Sequence, residues 1–211
     1  MRRDSLTAFL EHIHPRSVPE ISTRVSFTFC LGGLVTAMFL VEILTGALLM
    51  LYYFPSIPNA YPSVQRVIYF APYGFVFRNM HYWGGQAMVI VVLIHMVRVF
   101  LTQSYLPPRQ LNWIIGVILL CLVFIEDFTG YLLVWDERAH WAWTIARNLI
   151  EKIPYVGDGF ASVLFGPLDV GGLCLIRLYA WHILFLSAAL AFLMSLHYWK
   201  VRKDGGISIP L

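Results

Sequence analysis

Charge is scarce in this chain. Asp, Glu, Lys and Arg make up 13% of its 211 residues, against about 25% in ordinary soluble domains. With 59% hydrophobic residues and a mean hydropathy of +0.69, that shortage excludes a soluble domain and leaves a membrane protein, long enough for one compact helical bundle. Cysteine is also sparse. Cys30, Cys121 and Cys174 lie in or beside apolar segments and form no CxxC or CxxCH motif, which excludes a disulfide framework. The net charge of +3, with no basic run, excludes a nucleic-acid partner. The first 24 residues lack the apolar core of a cleavable signal peptide, so the first membrane helix is expected to direct insertion.

Proline is absent from four long apolar runs, and this sets the partition. Spans A to D are predicted over about 27–54, 77–104, 112–135 and 178–201, and all eleven prolines fall outside them. Pro55 and Pro58 end span A, and Pro107 and Pro108 stop span B. Residues 1–26 are polar, with Arg2, Arg3, Arg16 and Arg24; the stretch DSLTAFLEHI opens on a capping pattern and predicts an interfacial segment, with His12 and His14 solvated or at the interface. Residues 55–77 read as a loop with a short amphipathic piece. Residues 136–176 read as an outer-side loop with an interfacial helix over ERAHWAWTIARNLIEKI, then Gly- and Pro-rich turns. The expected fold is a single transmembrane domain over 1–211, an all-α four-transmembrane-helix bundle.

Four histidines organise these spans. His81 and His95 are 14 positions apart in span B, and His182 and His197 are 15 apart in span D. At 1.5 Å per residue the separations are about 21 and 22 Å along each axis, and each second histidine returns to within about 60° of the first. Two helices offering imidazoles at two matched depths can hold two flat cofactors between them, and an imidazole on each side of an iron is the bis-histidine haem site. One intramembrane histidine is more often a helix-to-helix hydrogen bond or a proton relay. Independent packing histidines, however, have no reason to share a vertical interval.

Lysine and arginine bias orients the spans. The N-terminus, the loop between B and C and the C-terminus hold nine basic residues, including Arg98, Arg202 and Lys203; the other side holds six, including Arg78 and Arg177. The termini are therefore expected in the cytoplasm, with His81 and His182 near the outer face and His95 and His197 near the inner one. Gly32 and Gly46 in span A are also 14 apart, as are Gly116 and Gly130 in span C. A porphyrin edge needs close backbone approach at each level, which glycine permits. Arg78 and Arg98 each stand three residues from a histidine. They either meet haem propionates or snorkel to the interface, and the spacing fits both.

With these histidines stand FCLGG at 29–33, Thr45–Gly46, FLT before a basic proline loop, TGY at 129–131 followed by Trp135, and the ending RK…GIS…PL. Over nearly the whole chain this resembles cytochrome b6, the split form of cytochrome b found in b6f complexes and bacterial menaquinol:cytochrome c oxidoreductases. The longer second interval and the early chain end favour the split form. The resemblance implies haem b irons held by His81 with His182 and by His95 with His197. It also implies a third, c-type haem bonded covalently to Cys30, with Arg202 and Lys203 at basic positions near it; read by itself, Cys30 is a buried structural thiol. Cys121 and Cys174 match nothing in the family and are read as structural. The implied partners are a subunit IV-like C-terminal cytochrome b subunit, a Rieske-type iron–sulfur protein, a cytochrome c-type acceptor and quinone, in a dimeric complex of an energy-conserving membrane such as the bacterial inner membrane. The expected role is the haem subunit of a quinol:cytochrome c oxidoreductase, inactive alone, moving electrons from quinol at the outer side through two b haems with proton translocation.

The chain departs from that family in two places. The family's proline before the tryptophan is missing from Gly130-Tyr131-Leu132-Leu133-Val134-Trp135. Acids also stand at mainly neutral positions: Glu42 in span A, and Glu126 with Asp127 in span C. A carboxylate deep in lipid costs roughly 3 kcal/mol, so such groups pair, titrate or face the interior. Glu126 and Asp127 are read either as a proton route for quinol oxidation or as neutral groups hydrogen-bonded to neighbouring helices. Asp136, Glu137 and His140 are either solvated or part of a docking surface. These departures leave a second reading, a haem-bearing anchor of another quinone-linked complex without a Rieske partner. A third, a haem-free carrier whose histidines relay protons, requires no haem absorbance.

Overall fold

The computed structural model describes Glu20, residues 29–166 and residues 173–206. The interfacial segment expected over 1–26, apart from Glu20, and the last five residues of the ending lie outside the described residues. Helices run in the order α1 Leu31–Met50, α2 Ala60–Phe70, α3 Gly74–Leu101, α4 Gln110–Leu132, α5 Glu137–Glu151, α6 Gly157–Phe165, α7 Leu173–Ala180, a π-helical segment Trp181–Leu186, and α8 Ser187–Lys203. The protein is all-α, with no strand among the described residues. Helices α1, α3, α4 and the continuous stretch Leu173–Lys203 are long and apolar enough to cross a membrane. Large apolar side chains such as Leu44, Leu101 and Phe192 are exposed on them, as surfaces that meet lipid require.

The four predicted spans correspond to these helices, with shifted ends. Span B begins at Gly74, three residues early, because α2 turns tightly into α3. A Cβ at Gly74 would run into the Val67 carbonyl, so only glycine closes this corner. The fourth helix begins at Leu173, five residues before the expected start, and α6 occupies a stretch read as turns. Gly157 explains the second difference. A Cβ there would strike the Ile150 carbonyl, so this glycine lets α6 start against the end of α5 rather than breaking the chain.

The fourth helix holds one unexpected backbone feature. Residues Trp181–Leu186, with His182 among them, form a π turn, and Ser187 Oγ lies 2.8 Å from the His182 carbonyl. A π turn accommodates one extra residue inside an α-helix and favours functional positions. It accounts for the histidine interval being 15 here and 14 on α3.

The chain divides into two compact units. One comprises Met38–Ala87 and Phe124–Ala188. Its apolar centre packs α5, α6 and the start of α7 through Trp143, Phe165, Cys174, Leu175 and Leu178, with Leu132 of α4. Arg147 is buried there, paired with Glu151 at 2.8 Å and donating to the Gly166 carbonyl. Arg177 of α7 donates to the Ser162 carbonyl of α6. Tyr53 donates to the Leu133 carbonyl at 2.7 Å and stacks on Tyr179. The other unit comprises Met1–Ala37, Met88–Val123 and Ala189–Leu211. In it, Tyr198 of α8 donates to the Gly32 carbonyl at 2.7 Å and meets the Thr36 hydroxyl, and Arg109 donates to the Gly206 carbonyl at 2.8 Å.

Candidate cofactor site

In the first unit His81 of α3 faces His182 of the π segment, ring centroids 6.2 Å apart and planes at 86°. That distance tests whether the pair fits an iron between the rings. A metal–imidazole bond of about 2.0 Å on each side, plus about 1.1 Å from each nitrogen to its ring centre, gives roughly 6.2–6.3 Å. The pair therefore fits a bis-imidazole haem iron. A porphyrin supplies the remaining iron ligands, so two side chains suffice. No group of three His, Cys, Asp or Glu residues suited to a protein-only metal site occurs among the described residues.

Glycines stand behind these rings. A Cβ at Gly46 would lie 3.1 Å from His81 Cε1, and one at Gly130 would lie 2.8 Å from His182 Cε1. In the second unit a Cβ at Gly32 would lie 3.8 Å from His95 Cε1, and one at Gly116 would lie 3.5 Å from His197 Cε1. The glycines expected at the cofactor levels are thus matched one to one with the four histidines. An imidazole carbon is the nearest group at Gly46, Gly116 and Gly130, while at Gly32 the Tyr198 hydroxyl is nearest, at 3.7 Å.

The other ring nitrogen of each facing histidine is also engaged. Thr45 Oγ1 donates to the Val41 carbonyl at 2.7 Å, leaving its lone pairs toward His81 Nδ1 at 3.1 Å. Glu42 Oε2 lies 2.9 Å from the same Nδ1. His182 Nδ1 lies 3.1 Å from the Glu126 carbonyl and 3.2 Å from Thr129 Oγ1, with Glu126 Oε1 at 3.7 Å. Acceptors crowd both Nδ1 atoms, so Nδ1 carries the proton and Nε2 keeps its lone pair for a metal.

The three acids reach three different partners. Glu42 serves His81, and Glu126 Oε1 lies 2.7 Å from Ser187 Oγ. Asp127 accepts from the Gln86 amide at 2.7 Å. Gly84, one turn beyond His81, leaves room for the first. A Cβ at Gly84 would run into the Glu42 carboxylate, and one at Gly85 would sit 3.6 Å from Asp127 Oδ1. Two signals for this shell were present in the sequence and unread. The pattern E-x-x-T-G occurs at Glu42–Gly46 and again at Glu126–Gly130, a spacing that puts acid and hydroxyl on one helix face. The Gly84-Gly85 pair follows His81 at i+3 and i+4, on the histidine's own face.

Other expected residues take varied positions. Cys30 precedes α1, exposed rather than buried, and with Phe29 it adopts a left-handed backbone, φ 49° and 50°. Cys121 is exposed and Cys174 buried. Arg78 lies over the Tyr82 ring at 5.3 Å, and Arg98 is in the last turn of α3. Arg202 and Lys203 are in the last turn of α8, with Lys203 Nζ 4.8 Å over Trp199. Asp136 caps α5 by accepting from the Ala139 amide at 2.8 Å, and His140 packs against Trp135 and Trp143. Trp135, Asp136, Glu137, Arg138 and Tyr61 line a shallow open groove of about 440 Å³.

Comparison with known proteins concerns the chain as a whole. The family model described as cytochrome b/b6/petB matches residues 17–205. The menaquinol:cytochrome c reductase cytochrome b subunit of Geobacillus thermodenitrificans is 37% identical over 202 residues, 95% of this chain and 90% of that protein. Cytochrome b6 of Cyanidium caldarium is 37% identical over 195 residues, 92% of this chain and 90% of that protein. Among solved structures, a chain of a hyperthermophilic respiratory Complex III superposes with a TM-score of 0.78 at 23% identity. That likeness extends over 96% of this chain and 54% of that one, and it shows the shared fold.

Proposed function

Because the chain belongs to the cytochrome b/b6 family, we propose that it carries electrons from quinol at the outer membrane face toward the inner face, coupled to proton translocation. It is the integral-membrane cytochrome b subunit of a quinol:cytochrome c reductase or b6f-type complex, and b-type haem binding follows from the family. His81 with His182, and His95 with His197, hold two b haems in this reading; when bound, these supply reversible one-electron carriers at two depths. The observation that carries it is the facing of His81 and His182 at 6.2 Å, each ring backed by a glycine.

The chain's own residues have distinct parts in this reading. The threonines and acids behind Nδ1 hold each imidazole in the tautomer that presents Nε2. Cys30 is the attachment point of a third, c-type haem, a role supported by its exposed thiol, with Arg202 and Lys203 of the last turn of α8 as the cations that serve it. The termini face the cytoplasm, by the nine-to-six bias of basic residues. Asp127, tied to Gln86, accepts a proton during quinol oxidation. Unchanged quinol turnover in Asp127→Asn at every pH would remove it from that role. Glu126 belongs with the groups around His182. A subunit IV-like protein, a Rieske-type iron–sulfur protein and a cytochrome c-type acceptor complete the enzyme.

The test is to purify the complex through this chain, identify its subunits and measure quinol-dependent cytochrome c reduction. An iron–sulfur subunit and quinol-dependent reduction are expected. Haem reduction by quinol with no iron–sulfur subunit and no reduction of cytochrome c would instead make the chain an anchor of another quinone-linked complex.

A further inference from the structure

Glu42 is not explained by packing. It stands on a membrane-spanning helix, where a carboxylate is costly, and its side chain is 12% exposed. One oxygen, Oε2, lies 2.9 Å from His81 Nδ1; the other, Oε1, is buried without a hydrogen-bond partner among the described residues. Across from it α3 gives up a side chain altogether. Gly84 is the residue whose Cβ would overlap the carboxylate. An apolar side chain at position 42 would fill this space at lower cost. The fold therefore keeps an expensive acid in a niche shaped for it, aimed at one ring nitrogen. On α4 the same E-x-x-T-G pattern brings Glu126 to His182, but its carboxylate stops at 3.7 Å and Ser187 takes Oε1 at 2.7 Å.

We propose that Glu42, and more weakly Glu126, are positioning residues that lower the reduction potential of the haem held between His81 and His182. This rests on the haem reading above. An anionic acceptor on Nδ1–H makes the imidazole a stronger donor to the metal and favours the more positive, oxidised iron. The effect follows distance, so 2.9 Å at Glu42 outweighs 3.7 Å at Glu126. Thr45 and Thr129 complete each pair as neutral acceptors at 3.1 and 3.2 Å, holding the tautomer without adding charge.

The replacement of a charged by a neutral acceptor tests this. A charge-assisted hydrogen bond is roughly twice as strong as a neutral one, and where the oxidised iron alone gains most of that difference the redox equilibrium shifts by about tenfold. For one electron that is about 59 mV. The purified complex carrying Glu42→Gln is titrated optically for the midpoint potentials of both b haems. One haem is expected to rise by about 59 mV, with a smaller rise of the same haem in Glu126→Gln and no movement of the other haem. Both haems at wild-type potentials in Glu42→Gln would overturn the proposal, as would an equal rise of both. Gly84→Ala gives an independent reading, since it pushes the carboxylate away without deleting it. If Glu42→Gln assembles without that haem, a raised potential in Gly84→Ala supports the proposal and a wild-type potential overturns it. A wild-type complex with no b-haem absorbance would fail the underlying haem reading, a result distinguishable from an unmoved potential.

Discussion

Substituting alanine at Gly130 should loosen one haem more than the same change at any of the three matched glycines. The added methyl would lie 2.8 Å from His182 Cε1, inside any ordinary carbon contact, so the ring or the α4 backbone must shift. His182 has little freedom to yield, because its Nδ1 is engaged by the Glu126 carbonyl at 3.1 Å and by Thr129 at 3.2 Å. Overpacking of this kind costs about 1–3 kcal/mol, offset by roughly 1 kcal/mol from alanine's better helix propensity. A net loss of about 0–2 kcal/mol is at most about a 30-fold weakening of haem retention. Gly46→Ala, at 3.1 Å, should cost less; Gly116→Ala at 3.5 Å and Gly32→Ala at 3.8 Å should be neutral or slightly stabilising. The assay is haem content per chain, by pyridine haemochrome, after graded detergent washing of the four variants. Full haem in Gly130→Ala with loss in Gly32→Ala would refute the reasoning, because packing against the ligand rings would then not set the order.

Two further outcomes are expected. Cys30→Ala should abolish haem staining of this chain on a denaturing gel while both b-haem bands persist in the native spectrum; retained staining would remove Cys30 as the attachment point. Burial, then the neighbouring Tyr179 and Cys174, push the Tyr53 phenol well above its ordinary range. A raised folded-state value means stability fully present below the unfolded phenol's pKa of about 10 and lost as pH rises beyond it. The apparent Tm should therefore fall above about pH 10, less steeply in Tyr53→Phe, which at neutral pH should itself lose about 1 kcal/mol with the 2.7 Å bond to Leu133. Parallel pH profiles in the two proteins would contradict this.

The matching of each glycine to a histidine was legible from the sequence because both follow from vertical spacing, which a helix preserves whatever it packs against. The span ends were less so. Gly74 and Gly157 read as breakers in one dimension, and only the approach of Val67 and Ile150 shows that each admits a neighbouring backbone. Glu42 and Glu126 were visible as misplaced acids, yet the histidine beside each was not. It depends on which way α1 and α4 face, and the repeated E-x-x-T-G pattern gains meaning only beside a histidine on another helix. The one-residue excess in the second histidine interval was plain in the sequence. Its physical form, a π turn at His182, needed the backbone.

The central claim is that four imidazoles, in two pairs, hold two b haems per chain. Haem content of the purified complex, measured together with reduced-minus-oxidised spectra of the four single His→Leu variants, tests it most directly. Two b haems per chain are expected, with His81→Leu and His182→Leu losing the same spectral component and His95→Leu and His197→Leu losing the other. Fewer than two b haems in the wild type, or a loss pattern that pairs His81 with His95, would contradict it.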